Sequence, residues 1–407
     1  MRKLYFISQA FPPLGRGGAV IAGHTARILA KEGWDIKAIT DGKRKGFFLK
    51  WEYDWEFYEA LKKEIEIEII EPFQWGIVAE IAATLKLIPS LFINWAWKVN
   101  RNLDKIVEPN RDGLIMAIYP CFADLYIARK MKEKFGFPLI VNFRDDFYGN
   151  MLAPSRYKQK LIKEEKEFLS IVDFIFVTTQ SVKDNLVSIH NYPSEKIEVI
   201  YNGYEKPYDI EQVRQKEDII RIAYTGTIAK AQKPEVLNLA YRRLLEKYPE
   251  LMGKVEIDIY GQDGYYYKYF LKKTIMNGIS FKGFLPHYKL MNKLLNEIDV
   301  GFFSLANESV SYATPTKLFE YINLEKPILA ALPRGEAWNI IEKHDIGLVS
   351  HYSDISALAE NIHRLFNEPE LLERFRQNIR KIKPQFDMTI QVKKMSEIMK
   401  ISFSNNK

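Results

Sequence analysis

The residues best suited to chemistry lie between Ala313 and Ala331, where Pro315-Thr316-Lys317 opens a helix carrying Glu320 and a Lys326-Pro327 stop precedes a short apolar strand. The turn and the helix start offer free backbone N–H groups and the positive end of a dipole. With the Lys317 ammonium beside them they form an anion site, and phosphate is the commonest occupant of such sites. Glu320 lies about one turn further in, at the reach of a neutral polyol such as a ribose. Its neighbours Leu318, Phe319, Tyr321 and Ile322 are apolar, so its carboxylate either faces water or holds a specific partner. Taken alone, the segment fits either a site for a nucleotide diphosphate or an ordinary capped helix after a proline.

Two further turns share this character. The first predicted strand runs into Phe11-Pro-Pro-Leu-Gly-Arg-Gly17-Gly18 and then a helix over Val20–Glu32. Glycines at a strand-to-helix turn let a ligand approach the backbone closely. The spacing is not G-x-G-x-x-G, so a nicotinamide fingerprint is not supported, and a plain flexible turn remains open. The second is Tyr224-Thr-Gly226-Thr227-Ile-Ala-Lys230-Ala-Gln-Lys233-Pro-Glu235. Lys230 and Lys233 near a helix start oppose the dipole, a conflict that a bound polyanion resolves; two solvated lysines are the alternative. Asn142-Phe-Arg-Asp-Asp146 places charges at the carboxyl edge of a strand, where open α/β sheets bind ligands, although Arg144 and Asp145 serve equally as an ion pair.

Alternating elements must position these turns. Leu4–Ser8, Asp35–Thr40, Glu66–Ile70, Leu114–Ile118, Leu139–Phe143, Phe174–Thr178 and Ile197–Ile200 read as strands with helical patterns between them. After Asn202-Gly203 and a polar stretch the alternation restarts in Ile220–Thr225, Val255–Tyr260, Ile279–Lys282, Val300–Phe303, Ile328–Ala331 and Gly347–Val349. Such alternation argues for parallel, doubly wound sheets. Two series predict two Rossmann-like domains facing a central cleft: residues 1–205, a linker over 206–218, and residues 219–385. The last helix, about Asp387–Ser402, is expected to return to the N-terminal domain, with residues 386–407 packing back.

The chain has 407 residues, 47% of them hydrophobic, a net charge of +7, one cysteine and six histidines. That length supports two cores. The lone Cys121 excludes an intrachain disulfide and fits a reducing compartment. The histidines and cysteine show no metal-ligand spacing, so no metal is expected. There is no uncharged run long enough to span a bilayer and no signal-peptide layout at the start. Positive charge points to an anionic partner. No zinc-finger or aromatic RNA-binding signature accompanies it, so nucleic acid is not expected. Lys43-Arg-Lys-Gly-Phe-Phe-Leu-Lys-Trp51 and the stretch Trp75–Lys98, with Trp75, Trp95 and Trp97, interleave basic and aromatic residues. That mixture suits an anionic membrane surface, or else a solvated loop and a buried helix pair.

These segments, in their order, resemble the family-4 retaining glycosyltransferases of the GT-B fold over essentially the whole chain. The resemblance is carried by Phe11-Pro-Pro…Gly17-Gly18, Phe143-Arg-Asp-Asp146, Asp173-Phe-Ile-Phe-Val-Thr-Thr179, Ile200-Tyr-Asn-Gly203 and Tyr224-Thr-Gly-Thr227. Tyr260-Gly-Gln-Asp-Gly264, Phe281-Lys-Gly-Phe284 and Pro315-Thr-Lys-Leu-Phe-Glu-Tyr321 complete it. It implies a nucleotide-sugar donor in the C-terminal domain, a glycan or lipid-linked acceptor in the N-terminal one, and no metal or other cofactor. Lys233 matches the family's diphosphate lysine, and Glu320 the second glutamate of its Glu-x7-Glu motif, near the ribose. Gly226, Thr227, Lys230, Lys317 and Thr316 fall around the diphosphate. Gly261 and Phe284 fall around the base, and Gly17 and Gly18 reach the donor across the cleft. The chain departs from the pattern at Tyr312, the first glutamate position, at Thr227, where many members carry arginine, and at Tyr119-Pro120, where many carry a histidine. Lys317 is placed to supply the missing cation. The resemblance therefore implies a cytoplasmic enzyme of surface-polysaccharide synthesis, peripheral on the inner face of the plasma membrane. A sugar-nucleotide epimerase and a non-catalytic binding module are the alternatives.

Overall fold

The structure, a computed structural model, describes residues 3–15, 17–42, 53–72, 78, 81, 92–108, 112–146, 158–204 and 218–404. The basic loop Lys43–Trp51, the part of the Trp75–Lys98 stretch around Trp75 and Pro89, and nearly all of the linker lie outside the described residues.

The first series of strands is β1 (Lys3–Ile7), β2 (Asp35–Thr40), β3 (Glu66–Ile69), β4 (Gly113–Tyr119), β5 (Leu139–Phe143), β6 (Phe174–Val177) and β7 (Ile197–Val199). They form one parallel sheet in the order β3-β2-β1-β4-β5-β6-β7. A parallel sheet is covered by helices on both faces, so its inner strands must be apolar on both. β1, β4 and β6 are accordingly buried along their whole length. The edge strand β3, Glu-Ile-Glu-Ile, is not. Lys3 is buried in β1, with its charge met by Glu66 and Glu108 at 2.8 Å and Asp35 at 3.3 Å.

The second series is β8 (Ile220–Thr225), β9 (Val255–Tyr260), β10 (Ile279–Gly283), β11 (Val300–Ser304), β12 (Ile328–Leu332) and β13 (Gly347–His351), a parallel sheet ordered β10-β9-β8-β11-β12-β13. Each sheet is thus a doubly wound, Rossmann-like layer with its own core. Helix ends follow local chemistry. Thr179 caps the helix Gln180–His190 by accepting from the Val182 N–H, and Asn191 ends it in the left-handed conformation.

The chain divides into two compact units, Met1–Tyr201 with Met388–Lys407, and Asn202–Asp387. The final helix, Met388–Ser404, therefore belongs to the first unit. Met388, Val392, Met395, Met399 and Phe403 recur at helical spacing and enter the same core as Leu4, Phe6 and Ala26. Trp34 Nε1 donates to Ser396 Oγ at 2.8 Å and fixes the helix lengthwise. Met395→Ala is expected to destabilise the protein by about 2–4 kcal/mol, read as a lower urea midpoint. A negligible change would mean that the helix does not share this core.

One expectation about the surface is corrected. Trp95, in the helix Ile93–Arg101, is fully buried and is a core residue, not a membrane-facing ring. Trp97, two residues on, falls on the opposite side of the helix and is exposed. No helix among the described residues is long and apolar enough to cross a membrane.

Candidate functional site

In the second unit the strand order reverses between β8 and β11, and a doubly wound sheet opens a crevice at such a point, beyond the carboxyl ends of its strands. Three glycines stand at adjacent strand ends there. Gly226 follows β8 with φ +104°, which demands glycine, and its N–H donates to Tyr260 O at 2.9 Å. Gly261 follows β9 and donates to the carbonyl of Gly283, at the end of β10, at 3.0 Å. A β-carbon on Gly261 would lie 2.5 Å from the Gly226 carbonyl oxygen, so this edge is closed without side chains.

Onto that edge the helix Thr316–Asn323 delivers Lys317. Pro315 begins the helix with no side-chain cap on its N–H groups. Tyr321 anchors it: its buried hydroxyl donates to Phe302 O at 3.0 Å or Ala223 O at 3.2 Å, and its ring fills the space that Gly301 leaves. Lys317, one turn earlier, is only 9% exposed. Its ammonium donates to Tyr224 Oη at 3.1 Å and sits 4.3 Å above that ring. Tyr224 in turn donates to the Thr227 carbonyl. A β-carbon on Gly226 would meet Lys317 Cε at 2.7 Å, so the lysine stem lies directly on the glycine turn. Burial pulls the Lys317 pKa down to about 8, against the opposing pull of Glu320. Among the described residues no carboxylate forms an ion pair with it. A buried cation held only by a hydroxyl and an aromatic face is an incomplete arrangement that an anion would complete.

Glu320 is partly buried, and its Oε1 lies 3.8 Å from Nδ1 of His287, the first residue of the helix His287–Glu297. His287 escapes sequence reasoning because it reads as an ordinary helix start after Pro286. Thr227 is exposed at the turn, and Thr316 is half-buried at the helix start. Phe284 follows β10, 42% exposed.

The helix after β8 begins at Glu235 with Pro234 as its N-cap, so Lys233 stands just before the helix start and Lys230 lies earlier in the turn. Glu235 occupies the first helical turn and accepts from Tyr266 Oη at 2.6 Å. Lys230 is exposed, whereas Lys233 is half-buried with φ +40°, a left-handed conformation unusual for lysine. The turn is held in place: Gln232 and Lys233 N–H both donate to Ala229 O at 3.0 Å, and Ala306 N–H donates to Ala231 O at 2.8 Å. Strain of about 1 kcal/mol or more at a fixed position is a mark of functional turns.

Gly17 and Gly18 belong to the first unit, at the start of the helix Gly17–Lys31 that follows β1. A β-carbon on Gly18 would touch nothing within 4 Å, so packing inside the protein does not require glycine there. Arg144 donates to Gly18 O at 3.1 Å, and Asp146 accepts from Asn185 Nδ2 at 2.7 Å, which ties the Phe-Arg-Asp-Asp segment to two helices of its own unit, Gly17–Lys31 and Gln180–His190. Tyr119 is fully buried against Phe122 and Phe143 and is a core ring. Nearby, sequence reasoning missed a buried polar knot. Gln9 N–H donates to the Asp124 carboxylate at 3.0 and 3.1 Å, and Gln9 Nε2 donates to Asp41 Oδ2 at 3.1 Å. Burial, with Asp41 adding to it, pushes the Asp124 pKa well up, although the Gln9 N–H opposes this.

Comparison with known proteins follows this division. Two family models match the chain, Glycosyltransferase Family 4 over residues 15–206 and Glycosyl transferases group 1 over residues 205–382. The Anabaena protein HepE, solved in complex with UDP-glucose, superposes with TM-score 0.69 at 14% identity, covering 98% of this chain and all of that one. A glycosyltransferase from Rickettsia africae superposes with TM-score 0.69 at 15% identity over 100% of this chain and 99% of its own. A curated D-inositol 3-phosphate glycosyltransferase from Kribbella flavida is 27% identical over 105 residues, 24% of this chain and 25% of that relative. The match thus spans about a quarter of that protein's length.

Proposed function

Because the chain belongs to the family-4, group-1 glycosyltransferases of the GT-B fold, we propose that it moves a sugar from a nucleotide-diphosphate donor to a glycan or lipid-linked acceptor, with retention of configuration. The observation that carries this reading is the buried Lys317 ammonium, lying on the Gly226 turn over Tyr224 with no carboxylate ion pair among the described residues. As the glycosidic bond breaks, charge gathers on the leaving diphosphate. Lys317, Lys233 and backbone N–H groups near Gly226, Thr227 and Thr316 stabilise it, at a few kcal/mol per well-placed donor. Lys230 adds an exposed surface charge. Glu320 accepts from the ribose hydroxyls, with His287 behind it as a positioning residue. Gly261 and Phe284 border the base.

The acceptor hydroxyl attacks from the face that the phosphate leaves, and its proton passes to the departing diphosphate, so no protein nucleophile takes part. The polysaccharide-assembly role and the place of action, peripheral on the cytoplasmic face of the plasma membrane, belong to the same proposal. The net charge of +7 supports it, through attraction to anionic lipid.

Isothermal titration with UDP, GDP, ADP and CMP tests the donor site. UDP is tried first, since UDP-glucose is the ligand of the solved HepE complex. Micromolar binding of one nucleotide is expected. Glu320→Ala is expected to weaken it by about 10- to 100-fold, the range for hydrogen bonds to a charged group. His287→Ala costs less, and the double variant costs little more than Glu320→Ala alone, because the histidine acts through the glutamate. Unchanged affinity in Glu320→Ala would remove the carboxylate from the site. Full additivity would show that His287 acts independently.

A further inference from the structure

Between Asp263 and Glu297 the sequence contains no acidic residue, but it contains six lysines and eight aromatic rings. The fold sorts six of those rings into two sets. Tyr266, Tyr267 and Phe281 pack against the second unit's core, with Tyr267 stacked on Phe281 at 4.0 Å. Tyr265, Tyr269 and Phe270 turn outward and are 72%, 54% and 48% exposed. They belong to one short stretch, the helix Tyr265–Tyr269 and the residue after it, and the Tyr265 and Tyr269 rings lie 4.4 Å apart. Fully buried Leu271 pins the stretch to the core. Lys268, Lys272 and Lys273 stand exposed among the outward rings, and none of them forms an ion pair among the described residues.

An exposed aromatic cluster this dense is costly in water and marks a contact surface. Its chemistry selects the partner. Glycan recognition relies on fixed acceptors and amides for sugar hydroxyls, and the exposed stretch 265–273 has no Asp, Glu, Asn or Gln. It has only rings with phenolic edges and unpaired ammonium groups. Rings of this kind settle at headgroup depth, and lysines beside them are drawn to anionic lipid. We propose that Tyr265, Lys268, Tyr269, Phe270, Lys272 and Lys273 form a docking face for an anionic phospholipid bilayer. This deepens the peripheral-membrane part of the function proposed above, and it places the contact in the nucleotide-binding half of the chain.

The test is co-sedimentation of the full chain with phosphatidylcholine–phosphatidylglycerol vesicles, with pure phosphatidylcholine vesicles, and with soluble dextran sulfate as a competing polyanion. Salt-sensitive partitioning onto the mixed vesicles alone is expected. Lys268→Ser/Lys272→Ser/Lys273→Ser is expected to reduce it by on the order of a hundredfold. Tyr265→Ser/Tyr269→Ser/Phe270→Ser is expected to reduce it by about tenfold or more. Melting curves and UDP titrations on both variants show whether the fold is kept, and the lysine variant alone suffices if the aromatic one unfolds. Wild-type partitioning in the folded variants overturns the proposal. So does equal binding to neutral vesicles, or dextran sulfate displacing the protein at equal charge concentration. Vesicle binding without any nucleotide binding would leave the docking face standing while the transferase reading fails; the reverse result would do the opposite.

Discussion

Lys317→Met is expected to raise the melting temperature of the ligand-free protein and to remove most of its nucleotide affinity. The two effects share one cause. Lys317 is buried with a pKa pulled from 10.5 to about 8. A lysine whose folded pKa is depressed penalises folding wherever it is charged, because the unfolded chain holds its proton in water at no such cost. The penalty is fully present below about pH 8, is relieved as pH rises through 8 toward 10.5, and is absent above. Methionine is of similar length, is at ease on the Tyr224 ring and carries no charge. Tyr224 keeps its own bond to Thr227 O, so no buried donor is orphaned. A gain of about 1–3 kcal/mol at pH 7 follows from the size of the shift. The stability rise between pH 8 and 10 should disappear in the variant.

In the proposed complex the diphosphate supplies the missing counter-charge and raises the Lys317 pKa again. Nucleotide affinity of the native protein should then fall toward tenfold per pH unit above about pH 8, with proton uptake on binding. Calorimetry at several pH values, in two buffers of different ionisation enthalpy, measures both. A variant that loses stability together with affinity would make Lys317 a structural strut. A variant that keeps its affinity would place the anion elsewhere.

The sheets were legible because their strands are buried on both faces. Leu139–Phe143 stands out as an apolar run, Val255–Tyr260 as an alternation of apolar and acidic residues, and Asp35–Thr40 and Ile220–Thr225 as mainly apolar runs broken by single charges; the structure gives the same bounds for all four. Other strands, such as β7 and β10, differ by a residue or two, since the pattern fades where burial does. Helix starts were less legible. Lys230 and Lys233 continue a polar stretch with no cap to mark where the turn ends, and the helix begins only after Pro234. The aromatic stretch around Trp95 could not declare its buried side, because the two tryptophans of Trp-Ala-Trp fall on opposite helix faces. Site residues joined by the fold alone left no local mark. His287 meets Glu320 across two helices, and Gln9, after β1, joins Asp41, after β2, to Asp124 in the first turn of the helix Phe122–Phe135. Tyr224 looks like any strand residue until Lys317 is found above it.

Gly261→Ala is expected to destabilise the second unit and to abolish measurable nucleotide binding, although it adds one methyl group. The new carbon would lie 2.5 Å from the Gly226 carbonyl oxygen and 2.8 Å from two atoms of Ile228. Ile228 can shift, but the carbonyl is backbone and moves only with its turn. Gly226 cannot rotate freely to make room. Its φ of +104° is already in a region reserved for glycine, and its N–H is committed to Tyr260 O. Displacing it pushes on the stem of Lys317 and pulls on the Thr227 carbonyl that Tyr224 binds. Overpacking of this kind costs about 1–3 kcal/mol in stability. The loss in binding should exceed that, since an ammonium and N–H groups aimed at a diphosphate lose their strength when displaced by about an ångström. Gly264→Ala is the matched control: three residues on, it has open space around its added carbon and an extended backbone that any residue adopts. It should leave both melting temperature and nucleotide affinity as they are. If Gly261→Ala binds nucleotide as the native protein does, the glycine edge is a packing device and the diphosphate does not lie on it. If Gly264→Ala is equally damaging, the loop after β9 acts through its flexibility and not through its fit to the Gly226 turn.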